Sequence, residues 1–221
     1  MFERISVTIS RMSAGIVKMF RNGHITIREG VPSDARDFAD LVLLSSPALF
    51  PALYGDDVSD MMRRMYRRPR NLFSHDHTYF AELSGKRAGM LLGYSWQSKK
   101  QQDLRTGLLL LREMKLRFIF RLPALLKARN AIGMVNEGEY YISNLATYTS
   151  YQSTGIGTRL IHEAEKQGRK GGAAKVTLDV EIENTNAIEL YRKLGFAIDR
   201  ESSLRLRGGK LFEFYRMSKQ L

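Results

Sequence analysis

Gln152-Ser153-Thr154-Gly155-Ile156-Gly157 lies between two runs of different periodicity. Upstream, Glu139 to Thr147 reads as a strand; downstream, Thr158 to Lys170 reads as a helix. Gly155 and Gly157 carry no Cβ, so the backbone can turn tightly there and approach a ligand closely. The following helix directs its unpaired amides into the turn, which makes an anion site. Strand, glycine turn and helix N-terminus together point to a phosphate-bearing ligand, although the turn alone also reads as a loop that needs glycine only for its geometry. Two familiar phosphate loops do not fit. The dinucleotide fingerprint requires a third glycine where Leu160 stands. The nucleoside-triphosphate loop requires Gly-Lys-Ser/Thr, a tripeptide this sequence lacks.

The segment downstream narrows the choice. Lys175 to Val180 alternates as a strand with one buried face. In Glu183-Asn184-Thr185-Asn186-Ala187-Ile188-Glu189-Leu190-Tyr191-Arg192-Lys193-Leu194-Gly195-Phe196, the apolar residues fall at helical spacing. Asn184 or Thr185 suits the N-cap, and Gly195 suits the stop. The glycine turn followed by Asn184-x-x-Ala187-x-x-Leu190-Tyr191-x-x-x-Gly195-Phe196 resembles the acyl-coenzyme A core of the GNAT acetyltransferase superfamily. The motif is most similar to that of the ribosomal-protein alanine N-acetyltransferase branch. The resemblance is densest from Tyr140 to Asp199. It extends more thinly back to Ile25-Thr26-Ile27-Arg28 and the helix-like Asp34 to Leu44, which look like the family's opening strand and helix.

That resemblance implies an α/β (α+β) fold: a mixed, twisted sheet with helices on both faces, ending in a strand from Lys210 to Met217. It implies acetyl-CoA as co-substrate, with no metal, and an amine as acceptor. The pyrophosphate would rest on the amides of Gln152, Ser153, Thr154, Gly155, Ile156, Gly157 and Thr158. The pantetheine arm would run along Leu145, Ala146 and Thr147, with Asn144 and Asn184 as polar contacts; Asn184 also reads as a plain helix cap. By the same resemblance Tyr191 would protonate the departing sulfur, where a core tyrosine is the plainer reading. Asp179 matches a glutamate proposed as general base in the alanine N-acetyltransferase branch. An ordinary aspartate, near ~3.9, is too acidic for that work unless burial raises it or it positions a water. A strand-end carboxylate facing solvent is the alternative. Another base position of the superfamily, a glutamate before the glycine turn, falls at about Tyr141.

Composition sets the limits around this core. The chain has 221 residues, a net charge of +12 and no cysteine. Absence of cysteine excludes an acyl-cysteine intermediate and thiolate metal sites, so direct attack in a ternary complex is the simpler route. It also fits a cytoplasmic protein, and the N-terminus lacks the continuous apolar core of an export signal. Residues 1–22 form an extension. The alternation of Ile5, Val7 and Ile9 and the Asn22-Gly23 pair predict an extra strand there, or a homodimer contact. Residues 23–221 are expected to form the N-acetyltransferase domain, carrying a helical insertion at about 97–135, before the fourth core strand.

Within that insertion Leu104, Leu108, Leu111, Phe118, Leu122 and Leu125 recur at helical intervals, and Pro123 is expected to start or kink a second helix. From Lys99 to Arg129 nine basic residues face two acidic ones, which is +7 of the chain's +12. Such a helix can lie on a membrane surface or an acidic partner. The favoured expectation is a flap that packs its apolar stripe on the core and shapes the acceptor side of the cleft.

Other features carry less. His75-Asp76-His77 has too few ligands in an unperiodic stretch to read as a metal site. The arginines from Arg63 to Arg70 beside Tyr66 suggest nucleic acid but suit a solvated helix end. Ser45 to Pro51, broken by proline, is a candidate acceptor loop. The enzyme reading therefore stands against one alternative: a non-catalytic acyl-CoA-binding or basic nucleic-acid-binding adaptor on the same fold.

Overall fold

The computed structural model describes residues 24–206 and 208–221. The extra strand expected over residues 1–22 lies outside the described residues. Seven strands form one sheet: β1 (Ile25–Glu29), β2 (Thr78–Leu83), β3 (Lys86–Ser95), β4 (Glu139–Thr147), β5 (Lys175–Glu181), β6 (Ala197–Arg205) and β7 (Leu211–Gln220), in the spatial order β1-β2-β3-β4-β5-β7-β6. The helices are α1 (Ala35–Ser45), α2 (Leu49–Tyr54), α3 (Val58–Arg67), α4 (Trp96–Met114), α5 (Arg117–Ala131), α6 (Ile156–Lys170) and α7 (Thr185–Lys193).

β3 is central because its residues from Ala88 to Tyr94 are buried without interruption, as a strand covered on both faces requires. α6 and α7 cover one face. Ile156, Leu160, Ile161 and Ala164 make one apolar stripe of α6, and they pack with Leu91, Ile142, Val176 and Leu178. Each isoleucine or leucine of the stripe contributes roughly 1.5–3 kcal/mol by burial, so packing rather than helix propensity holds α6 in place. α1, α3 and the inner sides of α4 and α5 cover the other face, around Phe38, Met62, Phe80 and Met90.

β4 and β5 are the only parallel neighbours among the described strands, and their pairing stops at Ile142↔Leu178. Beyond that point β4 bonds only to β3 and β5 only to β7, so the two strands separate into a fork. A bulge in β4 coincides with the fork: Leu92 faces Asn144 and Gly93 faces Ile142, leaving Ser143 unpaired. Gly89 on β3 holds the far side together. A Cβ there would stand 2.8 Å from both the Ala146 carbonyl oxygen and Ile156 Cγ2.

The insertion before the fourth strand is a pair of helices, α4 and α5, filling the connection from Ser95 to Glu139. Two details refine the sequence reading. Trp96 opens α4, one residue before the expected start of the insertion, because Ser95 caps the helix by accepting a hydrogen bond from the Ser98 amide. Of the two places expected for Pro123, the start of the second helix is excluded and the position inside it is kept. The helix begins at Arg117 and carries Pro123 in its interior, where the ring removes one backbone donor.

Candidate active site

The fork between β4 and β5 opens into a cleft of about 720 Å³ that reaches from α7 to the α4–α5 hairpin. The turn that follows β4 is built by the backbone. After β4 the chain makes a short 3₁₀ turn, Thr149–Tyr151, in which the Gln152 amide donates to the Thr149 carbonyl at 3.3 Å. Ser153 and Gly155 then take positive φ, 61° and 89°. Gly155 caps α6 in the left-handed conformation, and the helix's backbone bonding opens with the Arg159 amide donating to Gly155 O at 3.1 Å. Among the described residues, the amides from Ser153 to Thr158 make no backbone hydrogen bond outside regular helix and strand pairing. Thr154 braces the turn, its hydroxyl donating to the Tyr151 carbonyl at 2.6 Å. The sequence reading counted the Gln152 amide with the anion site. In the structure it serves the 3₁₀ turn, and the unpaired amides begin one residue later.

Leu145, Ala146 and Thr147 pair with Leu91, Met90 and Gly89 on one side only. Their other edge borders the fork, where backbone groups are open to a ligand. Asn184 caps α7 by accepting from the Ala187 amide at 3.3 Å, and it also lines the cleft. Both readings of that residue are therefore compatible. Asn144 is buried, donates to Ser45 Oγ at 2.7 Å and accepts from Ser143 Oγ at 3.0 Å. It thus ties the bulge to the end of α1 across the cleft. Ser46, next along, donates to Glu181, so the segment read as an acceptor loop does border the cleft.

Tyr191 reaches the cleft from the buried face of α7, with its ring 5.7 Å from Phe196. Burial pushes its phenol up to about 12, so it keeps its proton at neutral pH. Asp179 stands one residue past the last β4–β5 pair, at the root of the fork. Its side chain is 3% exposed, which removes the solvent-facing reading. Oδ2 accepts from the Gly133 amide (2.8 Å) and from the Tyr141 hydroxyl (3.0 Å), with Arg216 Nη1 at 3.3 Å. Oδ1 is buried and has no hydrogen-bond partner among the described residues. Oδ2 therefore carries all of the carboxylate's hydrogen bonds among the described residues. Tyr141, the residue at the family's other base position, is thus the partner of Asp179 and not a replacement for it. Burial first, and then the Asp179 charge, raise its phenol well above the ordinary value.

The sequence reading missed Arg216. It lies directly opposite Asp179 in the β5–β7 register and joins it to Glu139, with Nη2 2.8 Å from Glu139 Oε2. Burial works against ionisation of Glu139. The Asn136 amide and side chain, Lys175 and Arg216 outweigh it and hold the carboxyl below the ordinary range. Alternation of Phe212, Phe214 and Arg216 was a usable signal, because an arginine on the inward face of a strand requires a buried carboxylate.

The weaker motifs are taken up by structure. His75 contacts the Tyr66 carbonyl and His77 contacts Gln102. Arg64 and Arg68 both hold Glu113 of α4, while Tyr66 is stacked on Phe38 in the core.

Residues 46–196 match the family described as Acetyltransferase (GNAT) family. The chain belongs to that family. A curated relative, N-alpha-acetyltransferase 30 of Homo sapiens, is 36% identical over 75 residues, which cover 34% of this GNAT chain and 18% of the relative. The chain thus matches only about a fifth of that relative's length. Solved structures share the fold. An N-acetyltransferase from Staphylococcus aureus Mu50 aligns at TM-score 0.63 and 22% identity, covering 88% of this chain and 100% of that one. A putative acetyltransferase from Salmonella typhimurium, solved with its cofactor acetyl-CoA, aligns at 0.58 and 15%, covering 89% and 94%. The ribosomal-protein-S18-alanine N-acetyltransferase of Escherichia coli aligns at 0.53 and 17%, covering 89% and 94%. All three likenesses concern the fold of the GNAT domain.

Proposed function

We propose that this GNAT protein moves an acetyl group from acetyl-CoA to a primary amine by direct attack within a ternary complex. One observation carries the reading: the fork exposes the open edge of β4, and that edge leads straight to the unpaired amides from Ser153 to Thr158. An extended arm ending in phosphates fits such a path. Hydrogen bonds to a charged group are worth about 1.5–3 kcal/mol each, whereas the helix dipole adds only ~0.3–1 kcal/mol. The amides dominate, so turn geometry matters more there than local charge. The Salmonella protein of the same fold, solved with its cofactor acetyl-CoA, supports the same donor.

In the proposed reaction the amine nitrogen attacks the thioester carbonyl, the C–S bond breaks, the ammonium proton leaves toward a base, and the thiolate takes a proton. Tyr191, protonated and bordering the cleft, supplies the proton to sulfur. Asp179, which lines the cleft, receives or relays the proton from nitrogen. The acceptor enters from the side of Ser45, Ser46 and the α4–α5 hairpin. Glu181 and Glu183 line this part of the cleft, and their carboxylates suit a cationic amine.

Calorimetric titration of acetyl-CoA into the purified protein tests the donor site. Micromolar binding that disappears in Gly155→Glu/Gly157→Glu is the expected result, followed by turnover on a panel of amines. Absence of binding by the unmodified chain overturns the reading.

A further inference from the structure

The α4–α5 hairpin is apolar on two sides. Its inner side, with Leu110, Met114, Phe118 and Leu125, packs against the core and the cleft. Its outer side does not pack on anything described. Leu104, Leu108 and Leu111 recur at i, i+4 and i+7 along α4, and Leu116, Ile119 and Phe120 continue the surface across the turn into α5. Leu104, Leu116 and Phe120 are 77%, 75% and 76% exposed. Six of the eleven exposed large hydrophobic residues among those described fall between Leu104 and Phe120. Four cations border them: Arg105, Arg112, Lys115 and Lys127, none of which has an ion pair among the described residues. The hairpin's other arginines are occupied. Arg117 holds Asp57, Arg129 holds Asp103, and Arg121 donates to the Ala52 carbonyl.

We infer that the outer face of the α4–α5 hairpin docks on an anionic lipid bilayer surface. A concentrated apolar surface on a water-facing helix pair marks an interaction site. Helices of this kind lie in the interface with their apolar side chains among the acyl chains and their cations at the headgroups. Charge selects among occupants. A second copy would bring another +12 chain, and another hairpin of net +7, against this one. Nucleic acid would satisfy the cations and leave Leu116, Ile119 and Phe120 in water. An anionic bilayer satisfies both sets at once. No helix among the described residues is long and apolar enough to cross a membrane, so the contact is peripheral.

The test is flotation of the full chain with vesicles of phosphatidylcholine alone or with phosphatidylglycerol at about a third of the lipid. Binding to the mixed vesicles, weakened by salt, is the expected result. Each interfacial cation contributes roughly fivefold to partition, so Lys115→Gln/Lys127→Gln should weaken binding about twenty-five-fold. Leu116→Ser/Phe120→Ser should weaken it at least tenfold while the circular dichroism stays unchanged. Equal binding to both vesicle types overturns the inference, as does binding that both double variants retain. Absence of binding by the full chain also overturns it. So does concentration-dependent dimerisation, without lipid, that Leu116→Ser/Phe120→Ser abolishes.

Discussion

Arg216 binds two buried carboxylates from neighbouring strands, Glu139 on β4 and Asp179 on β5. Replacing it by methionine keeps much of the volume but leaves both carboxylates without their cation. Losing one partner of a buried ion pair costs about 3–5 kcal/mol, and in a domain of this size each kcal/mol moves the melting point by about 2–4 °C. Arg216→Met should therefore melt roughly 10 °C lower in a thermal scan; a change under about 2 °C would mean the cluster is not structural. Tyr191 allows a different test, because only its hydroxyl is assigned chemistry. General acid catalysis is typically worth 10²–10⁴-fold. Tyr191→Phe should lower kcat by about a hundredfold and leave the acetyl-CoA Kd within twofold, and an unaltered kcat would refute the acid role. These two residues also show what was legible at this scale. Tyr191 and Asn184 lie on one short helix and its cap, so the contiguous motif that carries the family resemblance contains both. Arg216 meets Asp179 only across a strand register that joins positions 37 apart, and no local pattern encodes that register.

At the scale of elements, the strands and helices around the glycine turn were readable because each has one buried face and one clear period. The hairpin was readable as helices before the fourth strand, but its two faces were not. Leu104, Leu108, Leu111, Phe118, Leu122 and Leu125 look like one stripe along the chain. In the structure Phe118, Leu122 and Leu125 line the cleft, while Leu104, Leu108 and Leu111 stay exposed. Periodicity reports that a helix has an apolar face, but two apolar faces on one helix blur into a single signal. The inner face carries a prediction of its own, since Phe118 and Leu125 line the cleft on the side where the acceptor is proposed to enter, whereas Ser153 to Thr158 do not line it. Phe118→Ala and Leu125→Ala should shift the acceptor KM several-fold and leave the acetyl-CoA Kd within twofold. Parallel changes in both constants would show that the hairpin acts on the whole fold and not on the acceptor.

For the whole molecule, titrating groups bracket a window of stability. At Asp34, Glu113 and Glu139 burial opposes ionisation. It is outweighed by Arg28 at Asp34, by Arg64 and Arg68 at Glu113, and by Asn136, Lys175 and Arg216 at Glu139, so all three titrate below the ordinary range. A carboxylate depressed in the folded state stabilises it above the unfolded value, near ~4, and that contribution disappears as pH falls through the folded value. His77 is lowered by burial despite its bond to Gln102, so its share starts to fade below ~6.5. The tyrosines act with the opposite sign. Burial raises Tyr54 and Tyr191 to about 12. Their contribution is complete below the unfolded value, near ~10, and is lost as pH rises through the folded one. Thermal unfolding followed by circular dichroism should give a flat melting temperature from about pH 7 to pH 9.5, a shallow decline to pH 5, and a steep fall below about pH 4. The acid limb should be steeper than the carboxylates alone require, because protonation adds to a chain already at +12 and self-repulsion grows with net charge. Added salt should then recover part of the loss at pH 3 and almost nothing at pH 8. A melting temperature that stays level from pH 6 to pH 3 would mean that the arginine–carboxylate pairs do not hold the folded state.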